Sequence, residues 1–303
     1  MAKGDGLTHN QHFVPQVYLR GFSDDDIRVF YYDLTSCKSS RVAVPVKSIC
    51  FEYDLYEAKN EQGDYLFANH IEKSMAILER MFADYRKKLE RKGFLKENFI
   101  TKCFLTHEEK IFWITYISVQ IMRSPKVLSI AKNFSKEYLK NDVSMCIAEN
   151  IALSYCLPFF TELSEDSQNA FCSFLNPMLN MSFNIGVIQG DEELFTSDDP
   201  IYIHANWPCE EYDQIIFPIT SKLCLFMYGG EYKAVHKKNC LFPIEKEMLA
   251  EINRAIAYRA DKMIFSAKQL DKQQEDEICR IHKIRLEDDE RILGDSTFDK
   301  VSE

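Results

Sequence analysis

Seven apolar residues, Phe67, Ile71, Met75, Leu78, Phe82, Tyr85 and Leu89, follow one another at spacings of three and four. That period traces one face of a long helix, and it is the strongest constraint in the chain. Thr106, with Glu109 three residues later, has the form of a capping box ahead of Ile111, Phe112, Ile114, Tyr116 and Ile117, so a second long helix is expected there, carrying Gln120 and Arg123 just before Pro125. Helical pattern continues over 133–139, 143–154 and 166–181, with Pro158 and Pro177 as interruptions.

On either side of this helical centre the grammar is β. Ile27–Tyr32 and Arg41–Val46 read as an N-terminal hairpin across the turn-prone 33–40. From Ser182 short runs return: 183–188, 193–196, 214–217 and 223–228, the last reaching Gly229-Gly230 and a return over 231–235 that reads as a Gly-Gly hairpin. A helix over 244–258 follows, and 263–266 is expected to close this second sheet. The fold class is therefore α+β: an N-terminal β-hairpin, central long helices over about 67–181, and a C-terminal antiparallel sheet over about 182–266 with a closing helix. With no repeat or low-complexity linker, residues 1–266 read as a single domain and 267–303 as a charged helix and tail.

Composition narrows the function. The chain has 303 residues, 37 Lys and Arg against 47 Asp and Glu, and a net charge of −10, so a nucleic-acid site needs a local basic cluster such as Arg86-Lys87-Lys88 with Arg91-Lys92, or Lys237-Lys238. The most apolar long stretch, 111–122, is too short and too polar to span a bilayer. No signal-peptide core follows Met1, and the ten cysteines show no C-x-x-C spacing. These features place the chain in the cytoplasm, without a membrane segment, with reduced thiols mostly in the core. The absence of P-loop, dinucleotide, zincin and serine-hydrolase motifs removes those readings at motif level. Asp54 with Glu57-x-Lys59 is too tightly spaced for a two-strand nuclease arrangement.

Two segments have the residue types that chemistry needs. In Gln11–Phe22, the polar His12, Gln16 and Arg20 recur every four residues among apolar ones and would share a face on a helical turn. A neutral His takes a proton or binds a metal, and an Arg holds phosphate bidentately. In Phe195–Pro200, the adjacent Asp198 and Asp199 follow Ser197 at a strand end, which suits a metal-bound or general-base carboxylate and equally suits a turn.

His12-x-x-Pro15-Gln16-x-Tyr18-Leu19-Arg20-x-Phe22, Asp54-Leu55-Tyr56, Ile71-Glu72, Gln120 with Arg123, Thr196-Ser197-Asp198-Asp199-Pro200, Phe217-Pro218-Ile219-Thr220, and Asn253 with Ile264-Phe265-Ser266 together resemble the bacterial and fungal family called domain of unknown function 4238. The resemblance spans residues 9 to 266, with Asp199 where that family commonly has Asn. It implies a shared fold and marks His12, Gln16, Arg20, Glu72, Arg123, Ser197 and Asp198 as positions matching the family pattern. Glu79, seven residues after Glu72, projects from the same side of the long helix.

One histidine, several carboxylates and two arginines suit metal-dependent hydrolysis of a phosphodiester. In this reading Glu72, Glu79, Asp198 and Asp199 hold Mg²⁺ or Mn²⁺, His12 is base or ligand, and Arg20 and Arg123 bind phosphate, with Gln16 and Ser197 completing the site. The substrate is then a nucleic acid or nucleotide and the role that of a toxic or defence-type effector. The alternative is a non-catalytic protein-interaction module whose family-matching polar residues form a buried network holding the fold, with a protein partner on the long helices.

Overall fold

A computed structural model describes residues 6–66, 68–93, 105–138, 150, 153, 156, 157, 175–205, 212–230, 232–235 and 239–295. The expected helix over 143–154 lies almost wholly outside these residues, as do 166–174, Pro158, Lys237-Lys238 and the tail beyond 295.

The chain is α+β. Its long helix is α2 (His70–Gly93), after the short α1 (Gln16–Leu19). Of the stripe, Ile71, Met75, Phe82 and Leu89 are buried, and Phe82 stacks on Tyr116, with ring centroids 4.5 Å apart. Tyr116 belongs to α3 (His107–Met122), whose N-terminus is the expected capping box: Thr106 accepts from the Glu109 amide, and the Glu109 carboxylate accepts from the Thr106 amide. Arg123 is the C-cap residue of this helix rather than a member of it, and α4 (Pro125–Tyr138) starts two residues later. Pro177 sits inside a helical turn over 175–179. No helix among the described residues is long and apolar enough to cross a membrane.

The larger sheet runs β11 (Leu241–Pro243), β6 (Ser182–Val187), β10 (Leu223–Tyr228), β9 (Tyr212–Thr220), β8 (Tyr202–Ala205). Every residue of β6 and β10 is buried; β10 accordingly reads as an apolar run, whereas β6 alternates Ser182, Asn184 and Gly186 with Phe183, Ile185 and Val187. The sheet is mixed, since β11 lies parallel to β6.

The second sheet departs from the sequence reading. β2 (Arg28–Asp33) turns into β3 (Lys38–Ser39), and within Arg41–Val46 only β4 (Val44–Pro45) pairs with it. The expected 193–196 strand is instead β7 (Thr196–Ser197). β12 (Met263–Ser266) does not close the larger sheet; it lies between β2 and β7, joining the two ends of the chain. The helix α6 (Lys246–Arg259) and the C-terminal α7 (Lys272–Asp295) pack together beside it, and Ile278 and Ile281 of α7 share a core with Tyr32, Leu34 and Ile264.

The Gly229-Gly230 hairpin is a misreading. The hairpin is β9–β10, turning at Ser221-Lys222, and Tyr232–Val235 is a helical turn, α5. Gly229 is needed because the chain passes against strand β9: its amide donates to the Asp213 carbonyl at 2.9 Å, and a Cβ there would collide with the Tyr212 carbonyl oxygen. Backbone cannot yield as a flexible side chain does, so Gly229→Ala is expected to cost about 2–3 kcal/mol by urea denaturation. A cost near zero would mean that the strand end moves freely.

Candidate functional site

The N-terminal segment is pinned by a short sheet of its own. β1 (Asn10–His12) pairs antiparallel with β5 (Phe51–Tyr53), setting His12 opposite Phe51. Gln11, fully buried, donates to Glu57 at 2.6 Å and accepts the Tyr56 amide at 2.6 Å, and Glu57 also accepts the Asn69 amide. Pro15 then starts α1. His12, Gln16 and Arg20 therefore sit on a strand, a helix start and a 3-10 turn, and the face expected from their spacing does not form. Arg20 is exposed, and among the described residues no hydrogen bond or ion pair ties Gln16 or Arg20 side chains to His12.

Arg123 organises what lies beneath. Its guanidinium, only 2% exposed as a residue, donates Nε to the Tyr56 hydroxyl at 3.2 Å, Nη1 to Glu79 Oε1 at 3.1 Å, and Nη2 to the His12 carbonyl. Tyr56 returns its hydroxyl to the Arg123 carbonyl at 3.1 Å, and Gln120 donates to the Phe13 carbonyl at 2.8 Å. The final turn of α3 thus grips the backbone of 12–13. Burial disfavours the Arg123 charge, but Tyr56 and Glu79 outweigh it and hold its pKa above the usual range. Burial pushes the Tyr56 phenol up to about 12 against the pull of Arg123.

Around this arginine several buried polar atoms have no hydrogen-bond partner among the described residues: His12 Nε2, Glu72 Oε2, Gln120 Oε1 and the Tyr116 hydroxyl. Burial lowers the His12 pKa; the Lys47 carbonyl works against that and Arg123 with it, so the ring is neutral at pH 7. An Nδ1–H directed at that carbonyl leaves Nε2 as the lone-pair nitrogen. Burial raises the Glu72 pKa, Arg123 opposes this, and the charges of Glu79 and Glu57 reinforce it. Of the two glutamates expected on one side of the helix, Glu79 pairs with Arg123, while Glu72 feels its charge without a hydrogen bond to it. Glu57 also lines an open cleft of ≈ 360 Å³ between 52–59 and α4, with Asp54, Lys59, Ser129 and Lys132.

The Ser197–Asp199 segment is built differently. Asp198 accepts the amides of Asp261 at 2.9 Å, Lys262 at 2.7 Å and Met263 at 3.1 Å, so its carboxylate braces the turn leading into β12. Ser197 donates to the Asp199 carbonyl at 2.8 Å, and Asp199 Oδ2 faces Arg259 Nε at 2.7 Å. No group of three or more His, Cys, Asp or Glu among the described residues is placed to hold a metal ion. The expected ligand set of Glu72, Glu79, Asp198 and Asp199 is not assembled: Glu79 is engaged by Arg123, Asp198 by backbone amides and Asp199 by Arg259. The basic run on α2 is likewise partly spent, with Arg86 donating to the Val17 carbonyl at 2.9 Å and Lys88 paired to Glu109.

Sequence reasoning gave no role to Gln11 and set aside Asp54, Glu57 and Lys59 on their spacing, yet Glu57 holds Gln11 and all three line the cleft.

This α+β fold, whose N-terminal segment is fastened by an arginine at a helix end, carries the family signature at its structural joints. The model of the family "Protein of unknown function (DUF4238)" matches residues 10–269, and the chain belongs to that family. None of the curated proteins and none of the solved structures compared matches it.

Proposed function

We propose that the chain is a cytoplasmic hydrolase acting on the phosphodiester of a nucleotide or nucleic acid, with His12 and Glu72 as the proton-transfer groups and Arg123 as the residue that positions them. The observation that carries this reading is the set of unspent buried atoms, His12 Nε2, Glu72 Oε2 and Gln120 Oε1, around one arginine. Leaving a buried polar atom unpaired costs about 1–3 kcal/mol, so three around one group point to a ligand that completes them. A cleft lined by Glu57, which also accepts from Gln11 beside His12, has the size of a small-molecule pocket, and Lys59 and Lys132 line it together with Glu52 and Asp54, Lys59 being paired to Asp54.

In the step this arrangement allows, His12 Nε2 takes a proton from water as the water oxygen attacks phosphorus. The phosphorus–oxygen bond to the leaving alcohol breaks, and protonated Glu72, favoured by its raised pKa, gives its proton to that alcohol. Proton exchange with solvent resets both groups. Mg²⁺ or Mn²⁺ would enter with the substrate phosphates, held by one carboxylate and phosphate oxygens rather than by a protein cage.

The test is turnover of labelled single- and double-stranded DNA and RNA, nucleoside triphosphates and cyclic dinucleotides, with Mg²⁺, Mn²⁺ or EDTA. Activity is expected to fall by about 10²-fold or more in His12→Gln and in Glu72→Gln, in chains that still fold. Activity that survives both substitutions overturns the assignment, and activity retained in EDTA removes the ion. No turnover of any substrate supports the second reading, a non-catalytic interaction module. That reading is favoured by one observation: the polar atoms of Arg123 and Asp198 are engaged by the protein itself.

A further inference from the structure

Outside that site, the two ends of the chain meet at a pair of thiols. Cys37 closes the exposed turn between β2 and β3, in a left-handed backbone conformation with φ of 52°. Cys279 lies on α7, partly exposed, and its Sγ is 3.3 Å from Cys37 Sγ across a separation of 242 residues. By contrast Cys50, Cys156, Cys224 and Cys240 are buried, as core thiols should be. The Tyr32 hydroxyl neighbours both sulfurs, and Lys283, one turn after Cys279 on α7, puts a positive charge near Cys37. The neighbouring Cys279 sulfur, with burial behind it, holds the Cys37 thiol above its ordinary pKa, so only a small fraction of it is thiolate at neutral pH.

We propose that Cys37 and Cys279 form a reversible disulfide that clamps the C-terminal helix α7 onto the β2–β3 turn when the chain meets a hydroperoxide. The sulfurs need to close from 3.3 Å to roughly 2.0 Å, a movement within reach of an exposed turn. The Cys37 thiolate attacks one peroxide oxygen; the O–O bond breaks, and a proton from solvent completes one water, leaving Cys37 as a sulfenic acid. The Cys279 sulfur then attacks the Cys37 sulfur, the S–O bond breaks, and the hydroxyl leaves with the Cys279 proton as a second water. Two thiols lose two electrons and one hydrogen peroxide gains them. Two thiols of a reductant such as glutathione reverse the step by exchange.

The clamp acts on a helix that contributes to structure. Arg285 of α7 donates to the Ala260 carbonyl, beside the turn whose amides Asp198 accepts, so fixing α7 also fixes the outer wall of that turn.

The test treats the purified full chain with hydrogen peroxide, blocks remaining thiols, digests, and maps cross-linked peptides by mass spectrometry, with thermal melting alongside. The expected result is a Cys37–Cys279 cross-link as the dominant product, reversed by dithiothreitol and absent in both Cys37→Ser and Cys279→Ser. Because the bond closes a loop of more than 200 residues, Tm is expected to rise by about 5 °C or more on oxidation. Accumulation of sulfinic or sulfonic acid at Cys37 without the cross-link overturns the proposal, as does a dominant cross-link between other cysteines. A Cys37–Cys279 bond that leaves Tm unchanged overturns the clamp.

Discussion

Replacing Arg123 by alanine is expected to lower stability by about 3–5 kcal/mol, the range for breaking a buried charge network by removing one partner. The loss has several parts in this chain. The His12 carbonyl and the Tyr56 hydroxyl each lose a donor, Glu79 loses its cation, and a volume as large as a guanidinium and its stem is left empty against Tyr56. Against a typical total of about 5–15 kcal/mol this is enough to leave much of the population unfolded at 37 °C. Arg123→Lys restores the charge but not the fork that reaches three acceptors at once, so it should recover only part of the loss. Urea denaturation followed by circular dichroism measures both, and a cost below about 1 kcal/mol for Arg123→Ala would show that the N-terminal segment is held by its apolar contacts alone.

Asp198→Ala is expected to cost about 3 kcal/mol, near 1 kcal/mol for each of the three amides left without an acceptor. Asp198→Asn keeps one accepting oxygen and should fall between. The same carboxyl gives a pH signature. Burial pushes its pKa up to about 6, against the pull of the Lys262 and Asp261 amides, with the charges of Asp261 and Asp199 adding to the rise. In the unfolded chain it titrates near its ordinary value of about 3.9, so between about pH 4 and pH 6 the folded chain holds the proton that the unfolded chain has released. This group's contribution to stability is therefore full below about pH 4 and falls as pH rises through 6. Comparing urea midpoints of the parent chain and Asp198→Ala across pH 4 to 7 should show the difference between them shrinking as pH rises. A difference that stays flat over that window would mean that the three amides hold the carboxyl ionised throughout.

The elements legible in the sequence were those set by neighbours in the chain. The stripe from Ile71 to Leu89 and the Thr106–Glu109 box are local patterns, and α2 and α3 form where those patterns lie. Three strands of the larger sheet, β6, β9 and β10, were legible from their β-rich composition, whereas β8 and β11 were not read. Pairing was not. That Arg28–Asp33 binds Met263–Ser266 depends on register between segments more than 200 residues apart, which no local composition encodes.

At the site, the same distinction holds. Glu72 and Glu79 share a helix, so that both lie within reach of the Arg123 charge followed from a spacing of seven. The spacing of four through His12, Gln16 and Arg20 misled because Pro15 separates a strand from a helix start within it. Asp198 looked like a ligand because a carboxylate written in a sequence carries no sign of whether amides or a cation will meet it. Only the turn at 261–263 decides that, and it comes more than sixty residues later.

The proposed function divides the family-matching residues: Arg123 and Asp198 hold the structure through bonds the protein itself supplies, whereas His12 and Glu72 are proposed to meet a ligand. Urea denaturation of Arg123→Ala, Asp198→Ala, His12→Gln and Glu72→Gln tests it in one experiment. The account predicts losses of about 3 kcal/mol or more for the first two and changes below about 1.5 kcal/mol for the last two, since His12 Nε2 and Glu72 Oε2 have no partner to lose and only the His12 bond to the Lys47 carbonyl is given up. Losses of 3 kcal/mol or more for His12→Gln and Glu72→Gln as well would contradict it and place all four in a single structural network.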